Sequence, residues 1–555
     1  MVFAYFAVES PNTAIPSGDS MLQSSPGHAR LVDIETVDWD RIRDWMRTCS
    51  TDPQHFNCRP MNLALDGFRV IDCFSRDVVP LPPEARYAAL SYVWGPSSSS
   101  EPLLDGDRLP ATTPMAIEDA IQCTTQLGFR YLWVDRYCID QASPSKHLQI
   151  HNMDLIYGCA SVTIVNAAGD DSDCSLPGVS NLPRTSQGSF TIGGKRFLQT
   201  PPSRADIQKS TWASRGWTLQ EGHLSKVRLV FTRSQVLFQC RVRHSSESMA
   251  GSFKLSDHRG DKWWYKKAAQ PFTHYDRQSS SEWWSVFQDL LDQYLIRSLK
   301  YDSDILVAFQ ATLKSLGVSH FWGIPFRLED QPSPEAALLF RLTWFPAHGE
   351  DKPLVLRSGF PTWSWAAWKG RWLCKYRDFN KWTPYVEETS VTVETTTGQR
   401  CSLVEYCSIM EHTGDPNLFL PILDILGWIT LVQFGQEHKE KPPWTTRVVD
   451  IEGRYAMEAQ IMEVILPEEP EWDRSQVLIG TWPVLVLIEK AGDGYGAEPI
   501  VGGIVLKPCQ DGSYQRIGIL RRIVMNLERK SEDRLQLWQD FGSILHCQRR
   551  SIRLA

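Results

Sequence analysis

Between Tyr87 and Arg241 this 555-residue chain alternates short apolar runs with segments of helical spacing, and that alternation constrains the fold more than any other feature. Tyr87–Val93 is apolar and β-favouring, with the length and punctuation of a buried strand. Thr113-Pro114 then supplies a cap and a proline for a first helical turn, Ala116, Ala120, Cys123 and Leu127 recur at helical spacing, and Gly128 closes the segment. Tyr131–Val134 reads as a second buried strand with Asp135 at its carboxyl end. Ser143-Pro144 opens a second helix with Ile150, Met153 and Tyr157 on one face, and Ser161–Val165 is a third strand. Thr211–Gly222 is predicted as a third helix, followed by tightly joined strands at Lys226–Thr232 and Gln235–Arg241. Such alternation predicts an α/β fold, a parallel sheet with flanking helices. Ligands of such sheets lie beyond the carboxyl ends of the strands. Ser91, Tyr92, Trp94, Asp135 and Asp140 fall at or just after such ends, which makes them candidate binding residues.

The flanks divide by composition. Residues 1–30 are rich in Ser, Pro and Gly and predict a poorly ordered N-terminus. Residues 31–83 form an accessory segment with a helix at Asp38–Cys49, and the core α/β domain spans 84–245. A helical, Trp-rich region at 246–385 carries Ser281–Lys314 and Phe360–Gly370. A mixed, largely β region follows at 386–555, closing with an amphipathic helix over Leu527–Leu545. The 22 tryptophans suit filled cores and flat contact surfaces. A net charge of -7 argues against a nucleic-acid partner, which calls for a clustered basic face. The 13 cysteines are scattered without repeated spacing and predict reduced thiols in an intracellular compartment. The opening MVFAYFAVESPNT lacks the marks of a signal peptide, and Trp482–Ile488 is far too short to span a membrane. A cytoplasmic location is therefore expected.

Four motifs stand in order over the α/β core: Ala89–Gly95 (ALSYVWG), Trp133–Gln141 (WVDRYCIDQ), Ile156–Ala160 (IYGCA) and Arg215–Glu221 (RGWTLQE). In this the chain resembles fungal heterokaryon-incompatibility (HET) domain proteins. His320–Pro325 (HFWGIP), Pro361–Ala366 (PTWSWA) and the upstream Cys49, His55 and Cys58 resemble that family's accessory elements. The family's Glu-Arg pair before Ile156-Tyr157 is missing, since Ser143–Asp154 reads SPSKHLQIHNMD. HET domains are in turn distantly similar to Toll/interleukin receptor (TIR) domains, some of which cleave NAD at the nicotinamide–ribose bond with a Glu on the helix after the third strand. The resemblance therefore implies a TIR-like parallel sheet, with Trp217 and Glu221 in the corresponding place. It also implies self/non-self recognition and regulated cell death, with an incompatibility partner protein and homo-oligomers as candidate partners.

Two functions stay open on this reading. In the first, Glu221 is catalytic: a carboxylate at the ribose stabilises an oxocarbenium-like transition state, and no general acid is needed because nicotinamide leaves neutral. Trp94 or Trp217 would stack on a ring and Arg215 would meet a pyrophosphate, with NAD as substrate and no bound cofactor. In the second, Arg215 and Glu221 are structural and the domain signals by assembling with partners. Asp140 is read as a cap, and Cys138 and Cys159 as inert buried thiols. Cys49, His55 and Cys58 have metal-ligand chemistry but make only three ligands, so packing of the N-terminal helix is the favoured reading and no metal is expected. His147 and His151 share a helix face without the Glu of a zinc-protease motif, and Gly188–Lys195 reads as a hairpin and not a phosphate loop. The Trp363 and Trp365 cluster is read as a core between domains.

Overall fold

The structure is a computed structural model, which describes residues 5–9, 28–95, 104–140, 146–201, 203–254, 283–330, 333–346, 354–370, 372–373, 382–384, 389–434, 446–449, 455–461, 464–465, 480–491, 500–525 and 548–555. The expected C-terminal helix over Leu527–Leu545 lies outside these residues, as does most of the N-terminal segment 1–30. The chain divides into two compact units. One comprises Met1–Asp276 with Arg297–Lys300 and Val307–Ser315; the other comprises Arg277–Ile296, Tyr301–Leu306 and Leu316–Ala555.

The first unit opens with β1 (Tyr5–Glu9) and β2 (His28–Ala29). Helix α1 (Trp39–Thr51) starts where the Asp38 carboxylate accepts a hydrogen bond from the Arg41 amide at 3.1 Å. Then come β3 (Arg69–Asp72), β4 (Val78–Pro80), β5 (Tyr87–Ser91), α2 (Met115–Gln126) and β6 (Tyr131–Trp133). Three short helices, α3 (Asp135–Cys138), α4 (Lys146–His151) and α5 (Met153–Cys159), lead to β7 (Val162–Asn166). The hairpin of β8 (Ser189–Ile192) and β9 (Lys195–Thr200) turns at Gly193 and Gly194, both at positive φ. Helices α6 (Ser203–Gln208), α7 (Thr211–Ser214) and α8 (Gly216–Leu224) precede β10 (Arg228–Phe231), β11 (Val236–Gln239), β12 (Arg243–Ser246) and β13 (Phe253–Lys254).

A nine-stranded sheet organises this unit in the order β13-β12-β11-β10-β7-β5-β6-β3-β4. Its centre, β10-β7-β5-β6, is parallel. Counted along the chain, these four strands lie in the order 2-1-3-4, so the crossovers change direction between β5 and β7. Strands β5, β7 and β10 are buried along their whole length, which explains their continuous apolar runs. The purely parallel expectation is corrected at the flanks, where β3, β4 and β11–β13 pair antiparallel. Links as short as Thr232–Gln235 between β10 and β11 cannot carry a parallel crossover.

Two predicted helices are each broken in two. Asn152 separates α4 from α5, and the single helix expected over Thr211–Gly222 is interrupted at Arg215, whose backbone is extended at φ -91° and ψ 137°. Arg215 pairs there with Ser298: the Gly216 amide donates to the Ser298 carbonyl at 2.8 Å. The Arg215 amide itself caps α7 by donating to the Trp212 carbonyl at 3.3 Å, while its carbonyl accepts from the Arg297 side chain.

The second unit is mixed and β-rich. Its largest sheet has ten strands, including Phe419–Phe434, Gly480–Ala491, Ile500–Pro508 and Tyr514–Met525, and is almost wholly antiparallel. The Trp-dense segment is buried among residues of this unit. Trp363 stacks on Phe321 with ring centroids 5.8 Å apart, and Trp365 donates its indole N–H to the Gly323 carbonyl at 2.8 Å.

Candidate functional site

Ser91 is the last residue of β5, at the strand edge where the crossovers diverge. Its hydroxyl donates to the Glu221 carboxylate at 2.5 Å and accepts from the Trp212 indole N–H at 2.7 Å. Trp212 on α7 and Glu221 on α8 are thus tied to one strand end from two sides of the break at Arg215. Tyr157 of α5 also reaches this carboxylate, while its hydroxyl donates to the Leu90 carbonyl at 3.3 Å. Beyond β6, Asp135 accepts from the Arg136 amide at 2.8 Å and from the Trp94 indole N–H at 3.0 Å. Arg136 in turn lies over the Trp94 ring, 5.9 Å from its centroid.

The charges of these groups act on one another. Burial pushes the Glu221 carboxyl up to about 7, and the neighbouring Asp135 charge adds to the rise; the Ser91 hydrogen bond, Arg215 and Tyr157 oppose it. Burial likewise pushes Asp135 up to about 6, against the Arg136 amide, Trp94 and Arg215. Arg215 therefore serves both carboxylates.

The motif that ends β5 also has a backbone reason. Gly95 sits at φ +80°, and a Cβ there would lie 2.7 Å from the Asp171 side chain. Residues 87–221, which contain β5 to α8, match the family model described as heterokaryon incompatibility protein (HET). This segment is a HET domain. Searches of curated proteins and of solved structures returned no match for the chain. The HET domain connects the chain to heterokaryon incompatibility. Among the described residues, no helix is long and apolar enough to cross a membrane.

Of the residues singled out by sequence, the HET domain brings Ser91, Trp94, Asp135, Arg215 and Glu221 into one neighbourhood. Tyr92 is buried, with its hydroxyl facing the Asp135 charge. Trp217 is half-buried one helical turn before Glu221, on the same face of α8. Asp140 is exposed beyond the end of α3. The Glu221 residue itself is only 6% exposed, while Trp94, Asp135, Arg215 and Trp217 are half-buried. Cys138 is fully buried and pushed up to about 12 by burial, a thiol that does not ionise near neutrality. The His147 side chain lies outside the described residues, and His151 is half-buried with its ring held below the ordinary range by burial.

Sequence reasoning missed Trp212, Tyr157 as a polar group, and Arg297. Arg297 donates to the Arg215 carbonyl at 3.1 Å and the Thr218 hydroxyl at 3.0 Å, and lies over the Trp212 ring. Tyr157 falls on the apolar helix face with Ile150 and Met153, so periodicity assigns it to packing alone. Nothing local marks Arg297, which lies 82 residues from its carbonyl partner.

Proposed function

We propose that this chain acts in heterokaryon incompatibility as a cell-death effector whose HET domain hydrolyses NAD at the nicotinamide–ribose bond. The observation that carries the reading is the paired carboxylates Glu221 and Asp135, raised towards neutrality and flanked by Arg215, at the point where the crossovers of a 2-1-3-4 sheet diverge. In the reaction the ribose C1′–N bond breaks and its electron pair leaves with neutral nicotinamide. Ionised Glu221 stabilises the resulting oxocarbenium charge. Water then adds at C1′ and its proton passes to a carboxylate of the pair. Arg215 suits the pyrophosphate, and Trp94 or Trp217 suits a ring. The TIR resemblance noted from the sequence points the same way.

The near-complete burial of Glu221 and its bond to Ser91 favour a second reading. There the HET domain is an interaction module that signals by assembling with partners, and Glu221 holds α8 to β5. Incubating the purified full chain with NAD and measuring nicotinamide separates the two. The first reading expects release that falls at least ~100-fold in Glu221→Gln, the scale of losing one transition-state charge contact. No release from either the monomeric or the assembled chain removes it. Cell killing that survives Glu221→Gln undiminished leaves the interaction module.

A further inference from the structure

The densest chemistry outside the HET match is a buried knot of sulfur and imidazole. Cys49 lies in the last turns of α1, His55 and Cys58 in the 3₁₀ turn Pro53–Cys58, and Cys240 in the turn between β11 and β12. All four are buried, and their ligand atoms lie within 4.8 Å of one another. The His55 Nδ1 stands 3.3 Å from Cys49 Sγ, 3.8 Å from Cys58 Sγ and 3.4 Å from Cys240 Sγ. A tetrahedral zinc with Zn–S bonds of about 2.3 Å and a Zn–N bond of about 2.0 Å places each sulfur about 3.5 Å from the nitrogen. The three observed separations bracket that value.

We propose that Cys49, His55 through Nδ1, Cys58 and Cys240 bind one structural Zn²⁺. Four protein ligands close a tetrahedral shell and leave no position for water or substrate, which makes the site structural and not catalytic. Three thiolates and one imidazole select zinc over the hard cations that prefer oxygen. The surroundings suit a metal-bound thiolate. The amides of Val242 and Arg243 both lie 3.4 Å from Cys240 Sγ and donate to it. The three thiolates and Zn²⁺ carry one net negative charge, and the buried guanidinium of Arg228 offsets it. Without an ion the cluster is poor packing: three polar sulfurs crowd one face of a wholly buried imidazole, and the other ring nitrogen, Nε2, has no hydrogen-bond partner. With the ion on Nδ1, the Nε2–H faces Asp52, whose carboxylate lies 4.0 Å away and is itself paired with Arg243 at 3.6 Å. At 4.0 Å this is not a hydrogen bond, but it sets a carboxylate on the side of the ring where metal-bound imidazoles commonly have one.

The spacing gives the ion a specific task. Cys49, His55 and Cys58 precede the matched segment 87–221, and Cys240 follows it. Zinc would clamp the N-terminal accessory segment to the β11–β12 turn across a stretch of 185 residues, closing a long loop as a cross-link does.

The test uses the full chain expressed with zinc supplementation and purified without chelators. Mass spectrometry of the metal content should find about one zinc per chain. Cys240→Ser should lose most of it and melt at lower temperature, while Cys174→Ser, a half-buried cysteine outside the cluster, should keep it. Should Cys240→Ser fail to fold, the wild-type chain still decides. A mercurial reagent should release the zinc in step with the modification of three thiols, and Co²⁺ in its place should show thiolate charge transfer and tetrahedral visible bands. A folded wild-type chain without transition metal and without a cobalt–thiolate spectrum overturns the proposal, as does zinc retained in full by a folded Cys240→Ser.

Discussion

Replacing Glu221 by glutamine removes a carboxyl that the fold holds up to about 7 from an ordinary value of 4.5. The folded state binds that proton more tightly than the unfolded chain does. The resulting stabilisation is therefore complete below pH 4.5, and it is lost as pH rises through 7. Linkage over this interval makes the wild-type chain lose about 2–3 kcal/mol between pH 5 and pH 8 through this one group. Glutamine has nearly the same shape, still accepts from Ser91, and has no proton to lose. The variant should thus stand close to wild type at pH 5 and gain on it at pH 8, with a relative shift of roughly 5–10 °C in the melting of the unit that carries the HET domain. Differential scanning calorimetry of both chains at the two pH values measures it directly. If Glu221→Gln is destabilised by the same amount at both, or by more at pH 8, the carboxylate is a well-compensated ion partner of Arg215 and the reasoning fails. A functional carboxylate kept at a cost to stability is the stability–activity trade-off of working sites.

Nicotinamide release should rise with pH through about 7, because the stabilising form of Glu221 is the ionised one; a pH–rate profile that is flat or falling across that range contradicts the role. Ser91→Ala removes a hydrogen bond that holds the Glu221 carboxyl down, so it should move the rise to higher pH, read from the same profile. Arg184 and Glu247 form a buried ion pair at 2.9 Å, with the Val236 and Asp38 amides also donating to Glu247. Arg184→Met should destabilise the unit by about 3–5 kcal/mol in denaturant titration, because it leaves a buried carboxylate without its cation.

The sequence by itself determined the local structure that hydrophobic runs and punctuation specify. Strands β5, β6, β7 and β10 stand where continuous apolar runs stand, because strands buried on both faces need apolar residues throughout. The motif residues Ser91, Asp135 and Glu221 were legible as strand-end and helix positions for the same reason. Tertiary structure decided the rest. The mixed flanks of the sheet follow from short links, and the break at Arg215 follows from a backbone pairing with Ser298 that no local propensity encodes. The fourth ligand beside Cys49, His55 and Cys58 is Cys240, which periodicity places inside the strand Gln235–Arg241 and the structure places in the turn after β11. Spacing along a chain reveals ligands and acids only within a few turns of one another; Glu221 on α8 reaches the end of β5, and Asp135 follows β6, because the sheet sets these two strands side by side.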